Sequence, residues 1–169
     1  MSVIYVNKND EVVGAGSIRN AVDKGIPVRI SRVFLLNDKN ELLLQKRSDS
    51  MTSLPGRWDQ TAGGHVDVGA GYETAAYQEL VEEMGVERVE LHEIAYYYSE
   101  ETDETKTKKR FNKIFIGNYG GEVIINTEEV ADYRWVHIDE LREWMQQKPA
   151  DFPDGFIEAF GLYQKDVPS

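Results

Sequence analysis

The sequence predicts an α/β domain, and three observations carry that prediction. One stretch, Gly63 to Val86, opens with a glycine-rich turn and continues with apolar residues spaced for one face of a helix. Runs rich in β-branched and aromatic residues lie on both sides of it. Clusters of Asn, Asp, Gly and Pro separate those runs where the chain has to turn.

Taken in order, Val3 to Val6 and Glu11 to Val13 read as short strands joined by the turn Asn7-Lys8-Asn9-Asp10. Ser17 is placed to cap a short helical piece that ends at Gly25. Val28 to Leu36 is the next strand, and its continuous apolar half, Val33 to Leu36, predicts burial on both faces. Asn37-Asp38-Lys39-Asn40 turns the chain, and Glu41 to Arg47 is expected to pair back as a hairpin. Ser48 to Arg57 is a loop broken by Pro55-Gly56. Beyond the helix, Val89 to Ser99 reads as a strand. The next segment divides by charge, acidic from Glu100 to Glu104 and basic from Lys106 to Arg110, and is expected to form a solvated hairpin loop. Phe111 to Tyr119 and Tyr133 to Ile138 are further strands, with a turn at Gly120-Gly121. Asp139 is the expected cap of a helix over Glu140 to Gln147. Pro149 and Pro153 bracket a link to a last helix near Gly155 to Gln164. Without a repeat or low-complexity tract, residues 1–169 are expected to form a single domain with its core over about 28–147.

The helix after the glycine turn carries Glu79, Glu82 and Glu83. At 100° per residue, Ala76, Tyr77, Leu80, Val81 and Met84 fill an apolar arc of about 140°. The glutamates fill the adjoining arc of about 100°, which puts them at the rim of the buried face. Like charges one turn apart repel, and a divalent cation reverses the sign of that interaction. Hard oxygen donors select Mg²⁺, Mn²⁺ or Ca²⁺. The competing reading of the helix alone is a solvated acidic face.

Gly64, Glu79, Leu80, Glu82, Glu83, Gly85 and Val86 fall in register with the Nudix hydrolase signature, G-x5-E-x7-R-E-U-x-E-E-x-G-U. Seven of nine fixed positions match, and the lead-in Leu54-Pro55-Gly56-Arg57-Trp58-Asp59 is similar to that family's Pro-Gly-x-Trp approach. With the flanking strands, the resemblance runs from about Val28 to Trp144. Two positions depart from it: Ala70 stands where the family has its first glutamate, and Gln78 where it has arginine. Those two form an ion pair in the family. Losing both leaves no orphaned charge, so the change reads as a neutral replacement of a brace.

The resemblance implies a Nudix-like α/β/α sandwich with a mixed central sheet. It implies a hydrolase that cleaves the pyrophosphate bond of a nucleoside diphosphate linked to another moiety, with Mg²⁺ or Mn²⁺ as cofactor. Glu79, Glu82, Glu83 and the Gly63 carbonyl become the expected metal ligands. Glu82 and Glu83 are candidates for the base that deprotonates water, and so are Glu128 and Glu129 just ahead of a late strand. Arg47 and Arg57 are candidate contacts for substrate phosphates, as planar bidentate donors. His65 is read as structural or substrate-contacting, because His65, His92 and His137 are too scattered for a metal cluster. Trp58, Trp135 and Trp144 are read as packing residues.

Composition bounds the alternatives. The net charge of −11 argues against binding a nucleic-acid duplex, since phosphate neutralisation needs a basic surface. The expected partner is a small diphosphate, and a homodimer is compatible with the sequence. The first residues predict neither a signal peptide nor a membrane span. The absence of cysteine fits the cytoplasm and removes thiolate zinc sites and thiol nucleophiles. That absence bears on a more distant resemblance to isopentenyl-diphosphate isomerase, around Trp58 to His65 and Asn126 to Trp135. That enzyme uses a catalytic cysteine where this chain has Gly63. A further alternative, motivated by Ala70 and Gln78, is a non-catalytic module that binds a nucleotide or protein.

Overall fold

The computed structural model describes residues 2–51, 54–103 and 106–166. Its strands are β1 (Val3–Val6), β2 (Val12–Gly16), β3 (Val28–Leu36), β4 (Glu41–Arg47), β5 (Trp58–Asp59), β6 (Ala62–His65), β7 (His92–Asp103), β8 (Lys106–Asn118) and β9 (Val130–His137). Its helices are α1 (Ile18–Lys24), α2 (Tyr72–Met84), α3 (Ile138–Gln147) and α4 (Asp154–Asp166). The strands form one mixed sheet, with β3 parallel to β8 and antiparallel to β6.

The alternation of β3 builds three layers. Val33 and Leu35 face Ala76, Leu80 and Met84 of α2, while Phe34 and Leu36 face Leu141 of α3 and Phe156 of α4. All four β3 residues are buried, as the apolar run predicts. The α/β/α sandwich with a mixed sheet is the expected architecture.

Turn chemistry is repeated at two hairpins. The Oδ1 atoms of Asn7 and Asn37 each accept two backbone amides of their own turn, and Asp10 and Asn40 take the left-handed position. Ser17 caps α1 through Asn20 N, and Gly25 and Gly85 close α1 and α2 in the left-handed conformation.

Five expectations are corrected. The hairpin of β3 and β4 splays after a single antiparallel pair, Leu36 with Leu42. Thr61 separates the strands: its Oγ1 accepts from Leu35 N at 2.9 Å and donates to Leu43 O at 2.6 Å. β6 then pairs with β3, so the first part of the glycine turn is a strand. Over its described residues, 100–103 and 106–110, the charged segment is strand and not a solvated loop; Glu104 lies outside the described residues. Acidic and basic residues face each other between β7 and β8, Glu100 with Lys109 and Glu101 with Lys108, which favours pairing. On α2, Val81 is 42% exposed while Glu83 is buried, so the packed face is rotated toward the glutamates. Finally, α3 is capped by His137 Nδ1, which accepts from Asp139 N, and Asp139 sits in the first turn.

Candidate functional site

The glycine turn and α2 meet at two carboxylates. Glu83 Oε1 accepts from Gly63 N at 3.0 Å and from Gln45 Nε2 at 3.1 Å. Gly64 supplies the room beside it: a Cβ there would lie 2.5 Å from Glu79 Cδ and Oε1. Glycine at 64 is therefore a requirement of close approach between strand and helix. Burial pushes the Glu79 carboxyl up to about 8, with the charges of Glu82, Glu129 and Asp67 adding to it. Burial and then the charge of Glu79 push Glu83 well above the usual carboxylate range, against the lowering effect of its two hydrogen bonds.

The helix carboxylates are not equivalent. Glu83 is 9% exposed, Glu79 is half-buried, and Glu82 is exposed. Among the described residues, no three Asp, Glu or His side chains close on a common point. The structure thus brings Glu79 and Glu83 together against Gly63 and Gly64, with Glu82 on the outer side. This donor set suits a hard divalent cation: two dehydrated carboxyls, both pushed up, lack the countercharge that such an ion supplies.

The other expected residues separate. Glu129 is half-buried, and its charge acts on both Glu79 and Glu83, whereas the Glu128 side chain is exposed. Arg47 lines a cavity of about 600 Å³ that also reaches Gly63, Gly64 and Glu83, and it pairs with Asp59 at 3.5 Å. Arg57 does not line that cavity; its carbonyl accepts Arg47 N at 2.8 Å, so it positions the loop through its backbone. His65 lies on the cavity wall, and burial together with the charges of Arg110, Lys108 and Arg32 holds it down at about 4. A neutral histidine amid cations is a poor cation ligand. Ala70 packs against the apolar cluster of Ile4, Val6 and Val66, and Gln78 is exposed.

Several lining residues were not legible as such. Gln45 holds Glu83, while Arg32, Lys108, Lys109 and Arg110 form a cationic side of the cavity. The signal for Arg32 was a second arginine, after Arg29, in a strand whose other half is apolar. The basic run offered one for the others, but it reads equally as a solvated surface.

A family model described as NUDIX domain matches residues 27–159. An isopentenyl-diphosphate Delta-isomerase 2 of Photorhabdus laumondii is 31% identical over 166 residues, covering 98% of this chain and 94% of that protein. An uncharacterized Nudix hydrolase of Pseudomonas aeruginosa is 26% identical over 161 residues, covering 95% and 92%. The crystal structure of DR0079 from Deinococcus radiodurans superposes with a TM-score of 0.79 at 22% identity, over 99% of each chain. At that identity the likeness concerns the fold. Among the described residues, no helix is long and apolar enough to cross a membrane. With the family model spanning most of its length, this chain belongs to the Nudix family.

Proposed function

We propose that this protein is a divalent-cation-dependent hydrolase that cleaves the phosphoanhydride of a diphosphate joined to a second group, a nucleoside diphosphate derivative being the expected class. One observation carries the reading: Glu79 and Glu83 are crowded and dehydrated against Gly63 and Gly64, and Glu83 with both glycines lines a cavity rich in cationic side chains.

Glu79, Glu82, Glu83 and the Gly63 carbonyl are the groups proposed to hold Mg²⁺ or Mn²⁺. When bound, such an ion neutralises phosphoanhydride oxygens and lowers the pKa of water. The chain's own residues do the rest. Gln45 and the Gly63 amide fix Glu83 Oε1, so this carboxylate meets the substrate already oriented. Arg47 offers a planar guanidinium to the diphosphate from the end of β4. Glu129 lies close enough to act on both helix carboxyls and is favoured over exposed Glu128 as the additional base. The test is incubation with a panel of nucleoside diphosphate derivatives, with and without Mg²⁺ or Mn²⁺. Ligand binding without turnover would favour the non-catalytic module.

The isomerase-named relative supports a second reading, a shift of the double bond in isopentenyl diphosphate. Two features oppose it. The chain contains no cysteine, and a Cβ at Gly63 would lie 2.7 Å from Gln60 Nε2 and 3.0 Å from Ser31 O. Formation of an allylic diphosphate from isopentenyl diphosphate would establish that reading.

A further inference from the structure

The cavity beside Glu83 also takes in Arg32 and Arg110, to which the hydrolase reading assigns no role. Among the described residues six cations line the cavity, namely Arg19, Arg32, Arg47, Lys108, Lys109 and Arg110, against the carboxylates of Asp59, Glu83 and Glu101. In a chain of net charge −11, this concentration is not a product of composition.

Two of the guanidiniums lack a full set of charged or hydrogen-bonding partners. Arg32 is 5% exposed, and its Nε and Nη1 donate to the neutral amide oxygens of Asn112 at 3.1 Å and Gln60 at 3.0 Å. No carboxylate among the described residues lies within ion-pair distance of Arg32. Arg110 pairs with Glu101, but its buried Nε has no hydrogen-bond partner among the described residues. Both guanidiniums reach the first turn of α4. A Cβ on Gly155 would lie 2.8 Å from Arg32 Nη2 and 3.3 Å from Arg110 Nη2. The two guanidiniums thus converge with the N-terminal end of a 13-residue helix, and besides Glu101 the charges of Asp59 and Glu158 act on Arg110. A water molecule satisfies an N–H group; it does not balance six lining cations against three lining carboxylates.

The rest of the wall is aliphatic, from Ile18, Val22 and Ile26 to Met51. Among the described residues no Phe, Tyr or Trp lines the cavity, so it offers a nucleobase no aromatic ring to stack on. A compact dianion meets both conditions. Paired guanidiniums with a helix N-terminus favour a phosphate over a carboxylate, because its charge is larger and its oxygens are more numerous.

We propose that the Arg32–Arg110 part of this cavity is a subsite for a phosphate monoester on the group to which the diphosphate is joined. The proposal rests on the hydrolase reading for the identity of the substrate, and on the charge geometry alone for the binding of phosphate. The substrate class is thereby narrowed to a diphosphate whose non-nucleoside part carries its own terminal phosphate.

The test is isothermal titration of the full chain with inorganic phosphate in the presence of EDTA, and with malonate at the same ionic strength. The variants are Arg110→Gln, Gly155→Ala, and Arg88→Gln as an exposed-charge control. Cooperative melting in phosphate-free buffer establishes that each is folded. One saturable phosphate site is expected, weakened about tenfold or more in Arg110→Gln and Gly155→Ala and unchanged in Arg88→Gln. Absence of saturable binding, equal affinity in folded Arg110→Gln, or tighter binding of malonate would overturn the subsite. Chelation removes metal from this measurement, so phosphate binding without turnover would sink the hydrolase reading alone. Turnover without phosphate binding would sink the subsite alone.

Discussion

Glu83 Oε1 accepts the backbone N–H of Gly63 at 3.0 Å, joining the packed side of α2 to strand β6. That bond explains how a carboxylate 9% exposed keeps one orientation in a partly apolar setting. Glu83→Gln retains an oxygen acceptor there and removes only the charge. The expected outcome is a melting temperature close to wild type, with kcat on a turned-over diphosphate reduced about 10²–10³-fold. Steady-state kinetics beside a thermal melt separates the two effects.

The raised carboxyls give the metal-free protein a definite pH dependence. A carboxyl whose pKa is higher folded than unfolded stabilises the fold when protonated. For Glu79 that stabilisation is complete below 4.5 and is lost as the pH rises through about 8; Glu83 acts in the same direction. His65 acts oppositely: its depressed pKa costs stability as the pH falls from 6.5 toward about 4. Between pH 6.5 and 8 the carboxyls therefore dominate. Melting in EDTA is expected to fall across that window, and added Mg²⁺ to raise it most at the alkaline end. A flat profile, identical with and without Mg²⁺, contradicts the assignment.

The two adjacent glycines make different predictions. Gly64→Ala places a methyl 2.5 Å from the Glu79 carboxyl, which is half-buried and can swing aside, so cation affinity falls more than stability. Gly63→Cys meets Gln60 Nε2 at 2.7 Å and the Ser31 carbonyl at 3.0 Å, both in buried residues. It is expected to cost about 1–3 kcal/mol in a denaturant titration and to yield no allylic diphosphate from isopentenyl diphosphate.

The parts of the fold that local chemistry dictates were legible. The Asn7 and Asn37 turns, the Ser17 and Gly25 caps and the buried half of β3 follow from side-chain hydrogen bonds, glycine's freedom at positive φ and uninterrupted apolarity. Strand partners were not. Nothing near residues 28–47 announces that the Thr61 hydroxyl wedges β3 from β4, because the wedge arrives from 14 residues beyond β4. The same limit applies to the site. Glu79 and Glu83 stood out by spacing, whereas Gln45, Arg32 and Arg110 come together only through the pairing of β3, β4 and β8 with their neighbours.

Asp10 ties the N-terminal hairpin to the remainder of the molecule. Its carboxylate accepts Arg29 Nε at 2.7 Å and the hydroxyls of Tyr72 and Tyr96, each at 2.7 Å. The side chain is 7% exposed, so Asp10→Ala removes the carboxylate partner of Arg29, whose Nη2 still donates to the Asp10 carbonyl, and leaves the half-buried Tyr72 hydroxyl without its acceptor. It is expected to destabilise by about 3 kcal/mol in denaturant, more than removal of the exposed Arg134–Glu140 pair, which is worth about 0.5 kcal/mol.

The metal-dependent hydrolase assignment is tested by turnover of a nucleoside diphosphate panel by wild type and Glu83→Gln, with Mg²⁺ and with EDTA. Phosphoanhydride cleavage by wild type is expected in Mg²⁺ only, with a rate lower by about 10²–10³ in the variant. Equal rates in wild type and folded variant, or cleavage that survives chelation, would contradict the assignment.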